Sequence, residues 1–227
     1  MLPHKQIGNP KEEFWLGLID GIYAISITLI VLELPDLFAS TLSFFDKINV
    51  EDKIFALSII IGNSLFNYIF VFLIMYECWC FHRASIKLTG LHERGQNFFN
   101  SLLLSIMCLI PATMSLLLKG EVDIINRITS QLDGASLIKF LFSSFNSTPY
   151  IQFIYLQTSL FFLILILLLI KAKEKNNEIT HVMIESKKRL FIFSILFALN
   201  IFLTLPFDLI NFFYLIYSNY ERKTSNY

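Results

Sequence analysis

From Tyr150 to Ile170 the chain reads YIQFIYLQTSLFFLILILLLI, 21 residues without one charged side chain. A helix that crosses bilayer hydrocarbon needs about 20 mostly apolar residues, because each backbone N–H and C=O must find its partner inside the segment. A chain of 227 residues that is 55% hydrophobic, 16% charged and carries 24 Phe has more large apolar surface than a soluble domain of that size can bury, so its solvent is the bilayer. Five further runs follow the same pattern. They cover about Phe14 to Leu34, stopping at Pro35; about Ile54 to Cys80; about Asn97 to Leu118; about Leu190 to Leu205; and, beyond Pro206, about Phe207 to Tyr220. The expectation is an all-α polytopic membrane protein, one domain over residues 1–227 with six transmembrane helices. The last two runs are short, and a bent re-entrant pair competes with two full crossings. The long connection from Lys119 to Pro149 contains SLIKFLFSSF, which reads as a short amphipathic helix on the membrane surface.

Charge sets the expected topology. Lys5, Lys11, Arg83, Lys87, Arg94, Lys171, Lys173, Lys175, Lys187, Lys188, Arg189, Arg222 and Lys223 fall on one side of this arrangement; Lys47, Lys53, Lys119, Arg127 and Lys139 fall on the other. Thirteen basic residues against five place both termini in the cytoplasm and favour an even number of spans. The N-terminal stretch has Pro and acidic residues where a signal peptide would be basic, and no small-residue cleavage site follows, so the first apolar run is expected to remain in the protein. A net charge of +0 gives no field for nucleic acid, and none is expected as a partner.

Inside the first run, GLIDGIYAISITLIVLELP, Asp20 has no basic neighbour in sequence. It lies six residues past Phe14, roughly 9 Å into the helix. A carboxylate there is costly unless paired or hydrated, which marks it as a functional residue. Its partners must come from the same end of other spans: Glu77, Trp79, His82 and Arg83 in ECWCFHR, and Asn100 closing RGQNFFN. The expected arrangement is a polar clasp of Asp20 chiefly with His82, with Trp79 and Asn100 nearby. On the same helix Gly17 and Gly21 form a small-xxx-small pair that lets another helix approach. Ile25, Thr28 and Leu32 fall at i, i+3 and i+7 and share a stripe. Packing against lipid or core explains such a stripe without a pore; a pore needs several copies of the helix around one axis.

These residues resemble the transmembrane protein 175 family of potassium channels in its short bacterial form, with six spans per subunit. The family's first span carries Arg-x-x-x-Phe-Ser-Asp and then an apolar run like AIxITLLVL; this chain reads FWLGLIDGIYAISITLIVLEL in the same frame. Asp20 is kept, while Phe14, Leu18 and Ile19 stand where the signature has Arg, Phe and Ser. The family's second-span Trp and His match Trp79 and His82, and its third-span Asn and Pro match Asn100 and Pro111. With the signature Arg absent, His82 or Arg83 is the candidate partner of Asp20. The resemblance implies a homotetramer in a bacterial plasma membrane, with four first helices lining a potassium-permeable pore and no cofactor. A ring of branched apolar side chains would form its narrow point. By register from Asp20 that ring maps to Ile25, with Thr28 and Leu32 further along the pore.

The remaining motifs are weaker. Cys78, Cys80 and His82 in CWCFH are spaced so that a helix points them to different sides, which argues against a metal site. Glu33 and Asp36 flank Pro35 at the outer mouth, where they can attract cations or simply face water. Asp208, just after Pro206, suits a helix cap. Glu77 suits either a proton-coupled carboxylate or an interfacial position. The stretch KAKEKNNEITHVMIESKKR reads as a solvated cytoplasmic loop. No nucleophile–base pair, HExxH or Gly-rich phosphate loop is present, so an enzyme is not expected. The alternatives to a channel are an ion- or proton-coupled carrier and a non-conducting membrane subunit.

Overall fold

The computed structural model describes residues 12–35, 38–39, 42, 53–90, 94–129, 149–172, 177–202 and 214. Its elements are α1 (Glu12–Leu32), α2 (Lys53–Thr89), α3 (Arg94–Thr129), α4 (Pro149–Ile170) and α5 (Asn177–Phe202). Among the described residues there is no strand, and four helices are long and apolar enough to cross a membrane, within α1, α2, α3 and α4. The all-α class follows from this. The expected sixth span lies outside the described residues apart from Tyr214, as does SLIKFLFSSF.

Three boundaries differ from the sequence expectation. α2 does not stop at Cys80 but continues to Thr89, where Gly90 adopts φ 61° and its amide bonds back to Ile86 O at 2.8 Å. A left-handed residue at that position ends a helix by satisfying a terminal carbonyl, and glycine takes the conformation without a Cβ clash. α3 runs past Leu118 to Thr129, so the first part of the expected third-to-fourth connection is helical. α5 begins at Asn177, not at Leu190, so most of the expected cytoplasmic loop is helix. The cause is visible in burial. Ile179, Ser186, Arg189, Phe193 and Leu196 are buried at helical spacing, a stripe that the charges of Glu185, Lys187 and Lys188 conceal in the sequence. Only the part of α5 after Arg189 is apolar, too short within the described residues to span alone.

α4 is the central helix and packs against α2, α3 and α5, while α1 lies on the outside against α2 and α3. The apolar window of α4 is 61% buried and that of α1 only 22%, so of the four candidate spans α1 has most surface left for lipid or for another chain. The core is aromatic at its centre. The rings of Phe162 and Phe193 stack at 6.1 Å, and Phe81 meets Phe162 edge-on at 5.3 Å. Offset and edge-on pairs of this kind add about 0.5–1.5 kcal/mol beyond the area they bury. Pro111 sits inside α3 and is buried. Outward-facing Phe98, Leu109, Leu116, Phe153 and Phe191 are each more than half exposed, which suits contact with lipid.

Candidate functional site: a polar layer on the second helix

The polar groups of the bundle gather where seven residues of α2, Glu77 to Arg83, pass the other helices. Trp79 and Arg83 are four residues apart and share a face. That face meets α1 at Asp20. The Trp79 indole Nε1–H donates to Asp20 Oδ1 at 2.8 Å, and Arg83 Nη1 lies 3.4 Å from Asp20 Oδ2. The Arg83 guanidinium also sits over the Trp79 ring, 5.4 Å from its centroid, a cation–π arrangement that holds the arginine beside the carboxylate. Both side chains of the ion pair are more than one third exposed, so the pair orients α1 more than it stabilises the fold.

His82 serves a different contact. It is fully buried, with Nε2 2.7 Å from Asn100 Oδ1 on α3 and Nδ1 3.4 Å from the Tyr23 hydroxyl on α1. With Asn100 Oδ1 as acceptor, Nε2 carries the proton and Nδ1 accepts from Tyr23. The Phe161 ring of α4 closes the pocket at 5.9 Å. The structure therefore splits the expected clasp in two. Asp20 binds Trp79 and Arg83, and His82 binds Asn100 and Tyr23. Helix geometry explains the division. At about 100° per residue, Arg83 lies about 40° from Trp79 on one side and His82 about 60° on the other, so only one of them can flank the same carboxylate. Tyr23 did not stand out in the sequence, although its place three residues after Asp20 puts it on the same face of α1. Nearby, Gln96 Nε2–H donates to Lys171 O at 2.9 Å, tying the start of α3 to the end of α4.

The two faces of α1 contrast. Ile19, Tyr23, Ser26 and Ile30 are buried against the bundle. Ile25 is 62% exposed and Leu32 64% exposed, and Thr28 is exposed between them. The Thr28 hydroxyl donates to Ala24 O at 2.8 Å, so its proton is committed to the helix and its lone pairs face outward. Gly17 and Gly21 are on the exposed side, and a Cβ at either would meet nothing within 4 Å. Among the described residues no helix of the same chain uses the close approach these glycines allow. Of the three cysteines, Cys78 is buried, Cys80 half-buried and Cys108 exposed. Among the described residues no three of His, Cys, Asp and Glu are grouped as a metal site.

The fold and this layer define a helical membrane protein whose first helix is pinned by a carboxylate to the second, buries one face in its own bundle and turns the other away from it. The family model described as Endosomal/lysosomal potassium channel TMEM175 matches residues 16–111, somewhat under half of the chain. That stretch runs from α1 to Pro111 and holds Asp20, Ile25, Thr28, Leu32, Trp79, His82 and Asn100, and over it the chain is similar to that family. No curated protein matches the chain, and no solved structure does.

Proposed function

We propose that this protein is a potassium-permeable cation channel of the bacterial plasma membrane, a homotetramer in which four copies of α1 line the pore. Ile25 forms the narrow ring, and Thr28 and Leu32 lie further along it. The observation that carries the reading is the two-faced α1. One stripe is buried in its own bundle, while the stripe with Ile25, Thr28 and Leu32 turns away from it, in a stretch that the potassium channel family matches. An apolar ring is a barrier because a cation must shed water there with no oxygen ligand in exchange. The outward hydroxyl of Thr28 offers an acceptor on the far side. Asp20, Trp79, His82 and Asn100 hold the pore helix in register rather than contact the ion.

The test is single-channel recording of the purified protein in planar bilayers, with potassium flux into liposomes alongside. Ile25→Asn supplies a polar group at the ring, so current rises and discrimination of potassium over sodium falls. Ile27 is half-buried and packs against the core, so Ile27→Val is the control and leaves both unchanged. Unaltered conductance and selectivity in Ile25→Asn would remove Ile25 from the constriction. Flux that needs a coupled ion points to a carrier, and no flux at all to a non-conducting subunit.

A further inference from the structure

Glu77 is buried in the bundle, and so are Arg189 and Tyr214, which bond to it. Arg189 of α5 donates Nε–H to Glu77 Oε1 at 2.6 Å, and the Tyr214 hydroxyl donates to Glu77 Oε2. Glu77, Arg189 and Tyr214 are 4%, 4% and 6% exposed. A buried carboxylate in apolar surroundings persists only when paired, and a guanidinium cannot shed its proton to escape the same constraint. The pair therefore fixes α2 and α5 in one register, since a slip of either helix by one turn separates two buried charges. Tyr214 adds a third element. Its ring packs on Phe193 at 5.0 Å and Phe70 at 6.3 Å, and its hydroxyl reaches Glu77 across 137 residues of chain.

The place of Glu77 on α2 gives this cluster its consequence. It precedes Trp79 by two residues, so it lies about 160° from it around the helix axis. α2 is thus held from both sides at one level. Its far face is anchored by Arg189 and Tyr214, and its near face holds Asp20 through Trp79 and Arg83. Ile25 is five residues, about 1.4 turns, beyond Asp20 on α1. A rotation of α2 about its own axis moves both faces together.

We propose that Glu77, Arg189 and Tyr214 are positioning residues for the conducting helix, setting the rotation of α2 and, through Trp79 and Arg83, the setting of α1. This rests on the channel reading above for its effect on current, while the coupling itself does not. The test uses the full chain in a Trp15→Phe background, where Trp79 is the one remaining tryptophan. Tyr214→Phe removes a single hydroxyl, and Arg189→Lys keeps the charge but not the planar fork. Both are expected to shift the emission of Trp79 and its quenching by acrylamide, although the change is made on the opposite face of α2. In planar bilayers the same variants change open probability several-fold at unaltered unitary conductance and selectivity. The charge exchange of Glu77→Arg with Arg189→Glu restores part of the wild-type Trp79 signal that Glu77→Arg alone loses. Should Tyr214→Phe and Arg189→Lys lower thermal stability while Trp79 emission and open probability stay as in wild type, the cluster is a structural tie and the proposal fails. Should the Trp79 signal shift in a protein that never conducts, the coupling stands and the channel reading fails.

Discussion

Asp20 and His82 are both polar, both inside apolar helices, and differ in what they would leave behind. Asp20 is part-exposed and has two donors that can turn to water or headgroups, whereas His82 is fully buried between Asn100, Tyr23 and Phe161. His82→Ala is therefore expected to cost more, about 2–5 kcal/mol, from the cavity and from stranding the Asn100 amide and the Tyr23 hydroxyl. Asp20→Ala should cost about 1–2 kcal/mol, the loss of an acceptor for Trp79 and of a screened ion pair. Asp20→Asn, which keeps an oxygen for the indole, should fall between Asp20→Ala and wild type. Thermal unfolding in detergent ranks the three, and an Asp20→Ala protein less stable than His82→Ala would reverse the roles assigned here. Asp20 and its neighbours were legible because a carboxylate in an apolar helix has few possible partners. The choice of Arg83 over His82 was not legible. It depends on a difference of about 100° around α2, and the sequence does not say which way α2 is turned.

At the scale of elements, four spans were legible from length and apolarity alone, and helix ends were not. An end is set by a few local bonds, such as the Gly90 cap and the α4 terminus, where Lys171 N–H and Ala172 N–H bond to Leu168 O and Leu169 O at 3.1 Å. The start of α5 was missed because its buried stripe includes Ser186 and Arg189, which do not read as apolar. Gly90 offers a clean test of an end. Gly90→Ala places a Cβ on a residue at φ 61°, which costs roughly 1–2 kcal/mol, and Gly90→Asn costs less because asparagine tolerates that region. Gly95 lies within α3, and a Cβ there would meet nothing within 4 Å, so Gly95→Ala should be neutral or slightly stabilising. Equal melting temperatures for Gly90→Ala and Gly95→Ala would show that the cap contributes nothing.

For the whole molecule, contacts among distant segments gather polar residues of the described helices around α2. Asp20 of α1, Asn100 of α3 and Arg189 of α5 all bond to the Glu77–Arg83 stretch of α2, and Gln96 of α3 bonds to Lys171 after α4. Lys87, Lys171, Lys187 and Lys188 are all exposed, as the expected placement of these basic residues on the cytoplasmic side requires. α5 leaves the layer at Arg189 and its described helix carries the chain about 20 Å away by Phe202, yet Tyr214 binds the same carboxylate as Arg189. Arg189 and Tyr214 thus stand at one level of the bundle, which is what the expected topology with both termini on one side requires. Single cysteines at Ser43 and Ser225, in a chain with Cys80→Ser and Cys108→Ser, test this with an impermeant maleimide added outside intact cells. Ser43→Cys should be labelled and Ser225→Cys should not. The reverse pattern would invert the protein in the membrane, and labelling at both positions would mean that the last two apolar segments cross only once, against the return that Tyr214 and Arg189 make to Glu77.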